Sequence, residues 1–270
     1  MKSLILLILI TFSFNSYASA PSLDNLSEAD AKAIGKEFSA NFVHTTVSPA
    51  SSLGSIIGFE VGLVAGLTTT PKIEEISNSV DSSSDISAIP HAGLIGAVSV
   101  PGGFTLEVNM IPERELSDVS FEHFSGALKW TITNAIPLPF DLALRVHGSS
   151  STLSYSDTIN NASTSNQDVD TNLSFGTSSF GANLSASVNA LVFEPYAGLG
   201  YVSTETEIKT SAATTVDIFT FSNAEAYTAE NSGLHIFAGA NINLFLLKIG
   251  FEYGKVMDLT RMSFKLSAYF

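Results

Sequence analysis

The 270-residue sequence contains no cysteine, and its charge is one-sided, with 12 Lys and Arg against 26 Asp and Glu. The lack of cysteine excludes a disulfide scaffold, a thiolate metal site, a thiol nucleophile and the lipid-bearing cysteine of a lipoprotein. The formal net charge of −14 argues against a nucleic-acid partner, because phosphate binding depends on Lys and Arg. These shortages remove several classes of site and one class of partner.

Long apolar runs are missing beyond the first twenty residues, MKSLILLILITFSFNSYASA. Lys2 and the apolar stretch 4–14 are typical of a secretory signal peptide, since a transmembrane helix needs about 20 residues. Pro21 disfavours cleavage after Ala20, so residues 1–18 are the predicted signal peptide and position 20 is the alternative cut. An N-terminal anchor helix is the other interpretation. A mature chain embedded in a membrane would therefore have to be a closed β-barrel, which satisfies its own backbone groups.

Residues 19–53 form an N-terminal segment in which a short helix is expected. Ser27 and Asp30 have the spacing of a helix-capping pair. Apolar side chains then recur at helical spacing, at Ala31, Ile34, Phe38 and Phe42. No second helix is predicted to cover this stripe, so either the opening of a barrel or a membrane surface could bury it.

From residue 54 onward the apolar residues alternate with polar ones, which is the period of a β-strand. The predicted strands are 54–68, 89–100, 103–111, 118–133, 139–156, 169–189, 193–210, 230–243, 246–255 and 260–270. In the sixth strand the apolar parity changes between Phe175 and Leu184, which predicts a β-bulge near 176–179. Strands of about ten residues are long enough to cross a bilayer when tilted.

The connections between these strands alternate between short turns and long polar loops. Short turns follow strands two, four, six and eight, and long loops follow strands one, five and seven. This alternation is typical of a ten-stranded antiparallel up-and-down transmembrane barrel, here over residues 54–270. An even number of strands leaves both chain ends on one side, which we expect to be the periplasmic side.

The final ten residues, RMSFKLSAYF, alternate without interruption and end on an aromatic residue. In this the chain resembles the superfamily of bacterial outer-membrane β-barrel proteins, although no subfamily is identified. The resemblance implies a bacterial outer-membrane location, with lipid and lipopolysaccharide as surroundings. It also implies that the barrel-assembly machinery reads the last strand and that this strand pairs with the first. The residues that carry this pattern are Phe264, Leu266, Ala268 and Phe270.

The parity opposite to the apolar face predicts which side chains point into the barrel. Acids and bases are nearly balanced among these lumen candidates, and ten strands enclose a narrow interior. Two interpretations stay open: an interior filled by charge pairs, or a narrow polar conduit. The lumen candidates are Glu60, Glu107, Lys129, Asp141, Arg145, His147, Glu194, His235, Lys248, Glu252, Arg261 and Lys265.

Enzymatic motifs are missing from the sequence, including GxGxxG, P-loop, HExxH and GxSxG patterns. We therefore expect no catalytic activity, no cofactor and no metal site. The first functional hypothesis is a porin-like or small-solute channel or transporter, with the helix capping or plugging the periplasmic mouth. The alternative is a structural or surface-interaction barrel without transport. An outer-membrane enzyme and a secreted β-sandwich are less favoured. The solute is not predicted.

Overall fold

A computed structural model describes residues 28–54, 56–80, 86–116, 119–136, 138–161, 167–216 and 219–270. The predicted signal peptide and both of its cleavage sites lie outside the described residues. Neither helix in the described part of the chain has the length and apolarity needed to cross a membrane. In chain order the elements are α1 (Glu28–Asn41), β1 (Gly58–Thr69), α2 (Pro71–Val80), β2 (Ala88–Val100), β3 (Phe104–Leu116), β4 (Val119–Thr131), a 3₁₀ turn (Ile132–Asn134), β5 (Asp141–Asn161), β6 (Gln167–Ser187), β7 (Phe193–Val216), β8 (Phe219–Leu244), β9 (Leu247–Val256) and β10 (Leu259–Tyr269).

The ten strands form a closed antiparallel barrel in which each strand pairs with its neighbours in sequence. β1 and β10 close it, in a register that runs from Glu60 opposite Tyr269 to Thr68 opposite Arg261. Two backbone hydrogen bonds between Phe59 and Phe270, of 2.7 and 3.0 Å, hold the last residue to the first strand. The predicted ten-stranded barrel with a short N-terminal helix is thus confirmed. We call the end at which β1 begins and β10 finishes the proximal end, and the other the distal end.

The outer surface of the barrel is apolar and its interior is polar, the reverse of a water-soluble fold. Leu63, Leu128 and Leu199 point outward and remain about half exposed, whereas Glu107, Lys129 and Arg261 are buried. The closed barrel and this inverted polarity rule out a secreted β-sandwich. About ten residues per strand, at roughly 3.3 Å each and the usual tilt, give an apolar band about 25 Å tall.

The apolar band has sharp limits on the longer strands. On β5, β6, β7 and β8 the outward face becomes polar and exposed at Ser150, Ser178, Ser203 and Ser232. At the proximal end the band continues into the turns, where Leu191 is 93% exposed and Phe245 is 90% exposed. The proximal turns therefore continue the apolar band, and the distal parts of β5–β8 extend beyond it.

β5 to β8 have 21, 21, 24 and 26 residues, about twice the 10 to 13 residues of the other strands. The expected long loop after strand seven is therefore wrong: β7 continues to Val216 and β8 begins at Phe219. This stretch is rich in Ser, Thr and Ala and lacks a strong apolar alternation. Backbone pairing between the two strands, which sequence patterning does not show, sustains them. The first loop also differs from expectation, since it contains α2.

The bulge expected in the sixth strand is absent, because β6 pairs with both neighbours in unbroken register through 169–187. Phe175 points inward with the same parity as Asn183, and its ring centroid lies 5.5 Å from that of Phe38 in α1. The apolar parity changes because the interior itself changes, from polar wall to the apolar side of a helix. Among the described strand pairs, a register shift occurs instead between β3 and β4, where the pairing changes between Ile111 and Arg114.

Candidate functional site

Helix α1 lies in the distal mouth of the barrel, between the tall wall of β6–β8 and the loop that contains α2. Ser39 donates a hydrogen bond to Thr204 at 2.9 Å, and Thr206 donates to the carbonyl of Gly35 at 3.1 Å. We expected the helix at the periplasmic mouth, which is the proximal end, where β1 begins and β10 finishes. The structure places it at the distal end. The projecting strands supply the surface that covers its apolar stripe.

Aromatic contacts hold the C-terminal end of α1 in this mouth. The ring of Phe38 lies 5.0 Å from that of Phe42, and Phe42 lies 4.9 Å from Phe121 on β4. These side chains contact β4 and β6, on one side of the lumen. The apolar stripe predicted from the sequence is therefore covered by the barrel rather than by a membrane surface.

Residues 42–53, which we call the plug segment, run from α1 through the lumen to the proximal end. His44, the third residue of this segment, has its Nδ1 2.9 Å from the hydroxyl of Ser125. Near the proximal end, Thr131 donates to the carbonyl of Ala50 at 2.7 Å, and the Leu53 amide donates to Ser99 at 3.0 Å. Every residue from 42 to 50 is buried. The lumen is thus occupied by the chain's own N-terminal segment.

Glu107 on β3 is the centre of the polar contacts around the plug segment. It has 0% exposure, and two wall cations lie close to its carboxylate: Arg145 Nε at 3.2 Å and Lys129 Nζ at 3.4 Å. Thr46 and Ser48 of the plug segment donate hydroxyl hydrogen bonds to it at 2.9 and 3.0 Å. A buried carboxylate needs such partners, because an unpaired buried charge costs several kcal/mol.

A second buried acid, Glu60, sits nearer the proximal end. Its carboxylate lies 2.8 Å from Lys265 Nζ and 3.2 Å from Lys248 Nζ, and it accepts a 2.8 Å hydrogen bond from Ser267. These partners all belong to the barrel wall. The pairing therefore joins β1, β9 and β10 across the closure of the barrel.

The third buried acid, Glu252, connects the wall to the plug segment again. It accepts hydrogen bonds from the phenol of Tyr196 at 3.0 Å and from the hydroxyl of Thr45 at 3.4 Å. Arg261 lies 3.9 Å from its carboxylate and donates to the carbonyl of Val43 at 2.8 Å. Glu252 and Glu107 thus both accept hydrogen bonds from hydroxyls of the plug segment.

The structure places eleven of the twelve predicted lumen residues in buried positions on the inner wall. Asp141 differs: it is half-buried at the proximal end of β5, where it accepts a 3.0 Å hydrogen bond from Thr133. Sequence reasoning missed the partners of this wall, because the polar stretch HTTVSPASS has no periodicity. The eleven buried residues are Glu60, Glu107, Lys129, Arg145, His147, Glu194, His235, Lys248, Glu252, Arg261 and Lys265.

His44 of the plug segment and two wall histidines, His147 and His235, form a row of neighbouring rings inside the barrel. The ring of His147 lies 6.0 Å from that of His44 and 6.4 Å from that of His235, and Arg261 lies 3.3 Å from His235 Nε2. Within the described part of the chain, no three His, Asp or Glu side chains are arranged to hold a metal ion. All three side chains are buried.

A polar contact at the distal end ties α1 to α2. The carboxylate of Glu37 accepts hydrogen bonds from the backbone amides of Lys72 at 2.6 Å and Ile73 at 2.9 Å, and so caps the N-terminus of α2. Lys72 Nζ also lies 2.9 Å from Asp30. Burial raises the pKa of Glu37, and the two amides lower it by a smaller amount. The pKa of Lys72 is raised by its hydrogen bonds to Asp30 and Glu75.

A model of a family of unknown function, DUF6588, matches residues 59–256. Among solved structures, Ail of Yersinia pestis aligns at 12% identity and a TM-score of 0.26, over 79% of this chain and 97% of its own. The outer membrane protease OmpT of Escherichia coli aligns at 10% identity and 0.38, over 79% and 96%. The outer membrane protein OprG of Pseudomonas aeruginosa aligns at 8% and 0.32, over 83% and 99%. The sequence has no match among curated proteins.

Proposed function

The chain belongs to DUF6588, a family of unknown function, and from its structure we propose that it is a small-solute channel of the bacterial outer membrane, closed by its own plug segment. The apolar band about 25 Å tall supports a membrane-spanning barrel. The predicted signal peptide and the resemblance of the last strand to outer-membrane barrels support the outer membrane as its location.

The observation that carries the proposal is the polar packing of the plug segment against a charged wall. Lys129, Arg145 and Glu107 are fully buried in this state, yet their partners include carbonyls and hydroxyls of a segment that is not part of the wall. Water can replace each of those hydrogen bonds, whereas it could not replace contacts in an apolar core. If the plug segment moved aside, the same wall would line an aqueous path.

A disulfide that fixes α1 to the wall tests this proposal in the intact chain. A Cβ at Gly35 would lie 3.3 Å from the Cβ of Ala229, close to the 3.5–4.5 Å of natural disulfides. Because the chain has no cysteine, the double variant G35C/A229C has only this pair to oxidise. We expect current in planar bilayers to vanish on oxidation and to return on reduction.

The single variant G35C is the matched control, and its current should not respond to oxidation. Equal current through the oxidised and reduced double variant would show that the plug segment does not gate conduction. Absence of current from both variants and from the parent protein would refute transport altogether.

A second function, surface interaction, is favoured by the distal projection of β5–β8. Beyond the apolar band their outward faces are polar and exposed, as at Ser178, Glu205 and Glu230. Such a wall suits contact with a partner outside the membrane. Shortening the β7–β8 hairpin by deleting residues 211–224 should then abolish partner binding while leaving the bilayer current unchanged.

A further inference from the structure

About half of the hydrogen bonds between the barrel wall and the plug segment go to the main chain of the segment. Lys129 Nζ, for example, donates to the carbonyls of Pro49 at 2.9 Å and Ser51 at 3.0 Å. These contacts depend on the path of the backbone and would form with another sequence in the same path. Six carbonyls of the segment accept hydrogen bonds from wall side chains: Val43 from Arg261, Thr45 from Asn109, Ser48 from Arg145, Pro49 and Ser51 from Lys129, and Ala50 from Thr131.

Charge in the lumen also favours a neutral occupant. Of the eleven predicted lumen residues that are buried, five are Lys or Arg and four are Glu, so their charges almost cancel. The plug segment itself, FVHTTVSPASSL, contains no Asp, Glu, Lys or Arg. An anionic or cationic ligand would leave charges in this space without partners, which is costly in a buried site.

The plug segment fits this path with local strain. Val47 has a φ of 49°, in the left-handed region that β-branched residues rarely adopt, and its side chain is fully buried. It packs against Val64 and Ile95 of the wall. Such strain persists only where surrounding contacts hold the backbone, and it is concentrated at functional sites and ligand clamps.

Building on the proposed channel, we propose that the lumen is a binding site for short, neutral, extended peptides, and that the plug segment occupies this site in the closed state. Side-chain donors of the wall hold the peptide carbonyls. Glu107 and Glu252 accept hydrogen bonds from its hydroxyl or amide groups. Peptides are thus the solute class, and nine residues, matching positions 43–51, span the hydrogen-bonded part of the lumen.

The test uses the full chain with the plug segment released but the wall intact. In Gly35→Leu we expect the larger side chain to push α1 away from the wall, because a Cβ there would lie only 3.2 Å from the Cβ of Thr206 and 3.3 Å from that of Ala229, and Leu extends beyond its Cβ. The probe is the blocked peptide acetyl-VHTTVSPAS-amide, added to single channels of this variant. We expect discrete blocks of the current, and at least tenfold weaker block when Lys129→Met is added.

Lys255→Met is the matched control, since Lys255 is an exposed cation on β9 that points away from the lumen, and it should leave the block unchanged. Current without block, or equal block by maltohexaose, would overturn the peptide proposal while the channel proposal stands. If Gly35→Leu carries no current, the channel proposal fails. Fluorescence anisotropy of the labelled peptide with detergent-solubilised Gly35→Leu still decides the inference, because binding lost with Lys129→Met supports it and absence of binding refutes it.

Discussion

Replacing Glu107 with Gln should destabilise the closed state of the channel more than any other conservative change in the wall. The substitution keeps the shape of the side chain but removes the negative charge between Lys129 and Arg145, whose side chains have 1% and 4% exposure. In the closed state these two cations then lose the carboxylate that lies 3.4 Å from Lys129 Nζ and 3.2 Å from Arg145 Nε. In the open state water can hydrate them, so the cost falls on the closed state alone.

The size of the effect follows from the burial of this cluster. Removing one partner of a buried ion pair costs about 3–5 kcal/mol. The lower end applies here, about 3 kcal/mol, because Gln retains one oxygen that can accept hydrogen bonds from Thr46 or Ser48. Since 1.4 kcal/mol corresponds to a factor of ten, we expect the open-to-closed ratio to rise roughly 100-fold. Single-channel open probability at fixed voltage and salt measures this ratio directly.

Glu113→Gln is the matched control, because Glu113 lies on the same strand but is exposed. It should leave the open probability unchanged. An unchanged or lower open probability for Glu107→Gln, with a normal gel shift between boiled and unboiled protein, would refute the electrostatic argument. If Glu107→Gln does not assemble, the double change Thr46→Val and Ser48→Ala removes both hydroxyl donors from the plug side and should still raise the open probability.

Three further predictions concern the plug segment, the contact between α1 and α2, and the closure of the barrel. Val47→Gly relieves about 1 kcal/mol of strain but removes a buried side chain that contributes about 1.5–3 kcal/mol, so open probability should rise several-fold; a fall would mean that strain dominates. Burial in the docked state raises the pKa of Glu37 above 4.5, so docking is linked to protonation of this carboxyl group. Docking should therefore be strongest below pH 4.5 and weaken as the pH rises through the raised pKa, so the open probability should rise with pH. The same pH-dependence of open probability in Glu37→Gln would contradict this. Deleting Phe270 removes both backbone hydrogen bonds to Phe59 and should slow barrel assembly, measured as the folded fraction on unboiled gels over time; an unaltered time course would contradict the role of the last residue in closure.

Local periodicity was enough to predict the strands, and the predicted signal peptide, the loop lengths and the resemblance of the last strand favoured a barrel over a sandwich. Alternation with a period of two is a property of each strand alone, so the ten strands could be counted from the sequence. It failed where that local signal was weak or had another cause. The Ser- and Thr-rich ends of β7 and β8 have little apolar alternation, although they pair through 216 and 219. The changed parity at Phe175 reflects the helix inside the barrel rather than a bulge in the strand.

The sequence by itself determined the strand number and which charged residues share one face of the sheet, because both follow from residue type and spacing along the chain. Only the tertiary structure decided that α1 occupies the distal mouth and that residues 42–53 fill the lumen. Thr46 and Glu107 are 61 residues apart, and no periodicity links HTTVSPASS to the wall. Such contacts depend on closure of the barrel, which brings carbonyls and hydroxyls of an unpatterned segment within reach of buried charges that need partners.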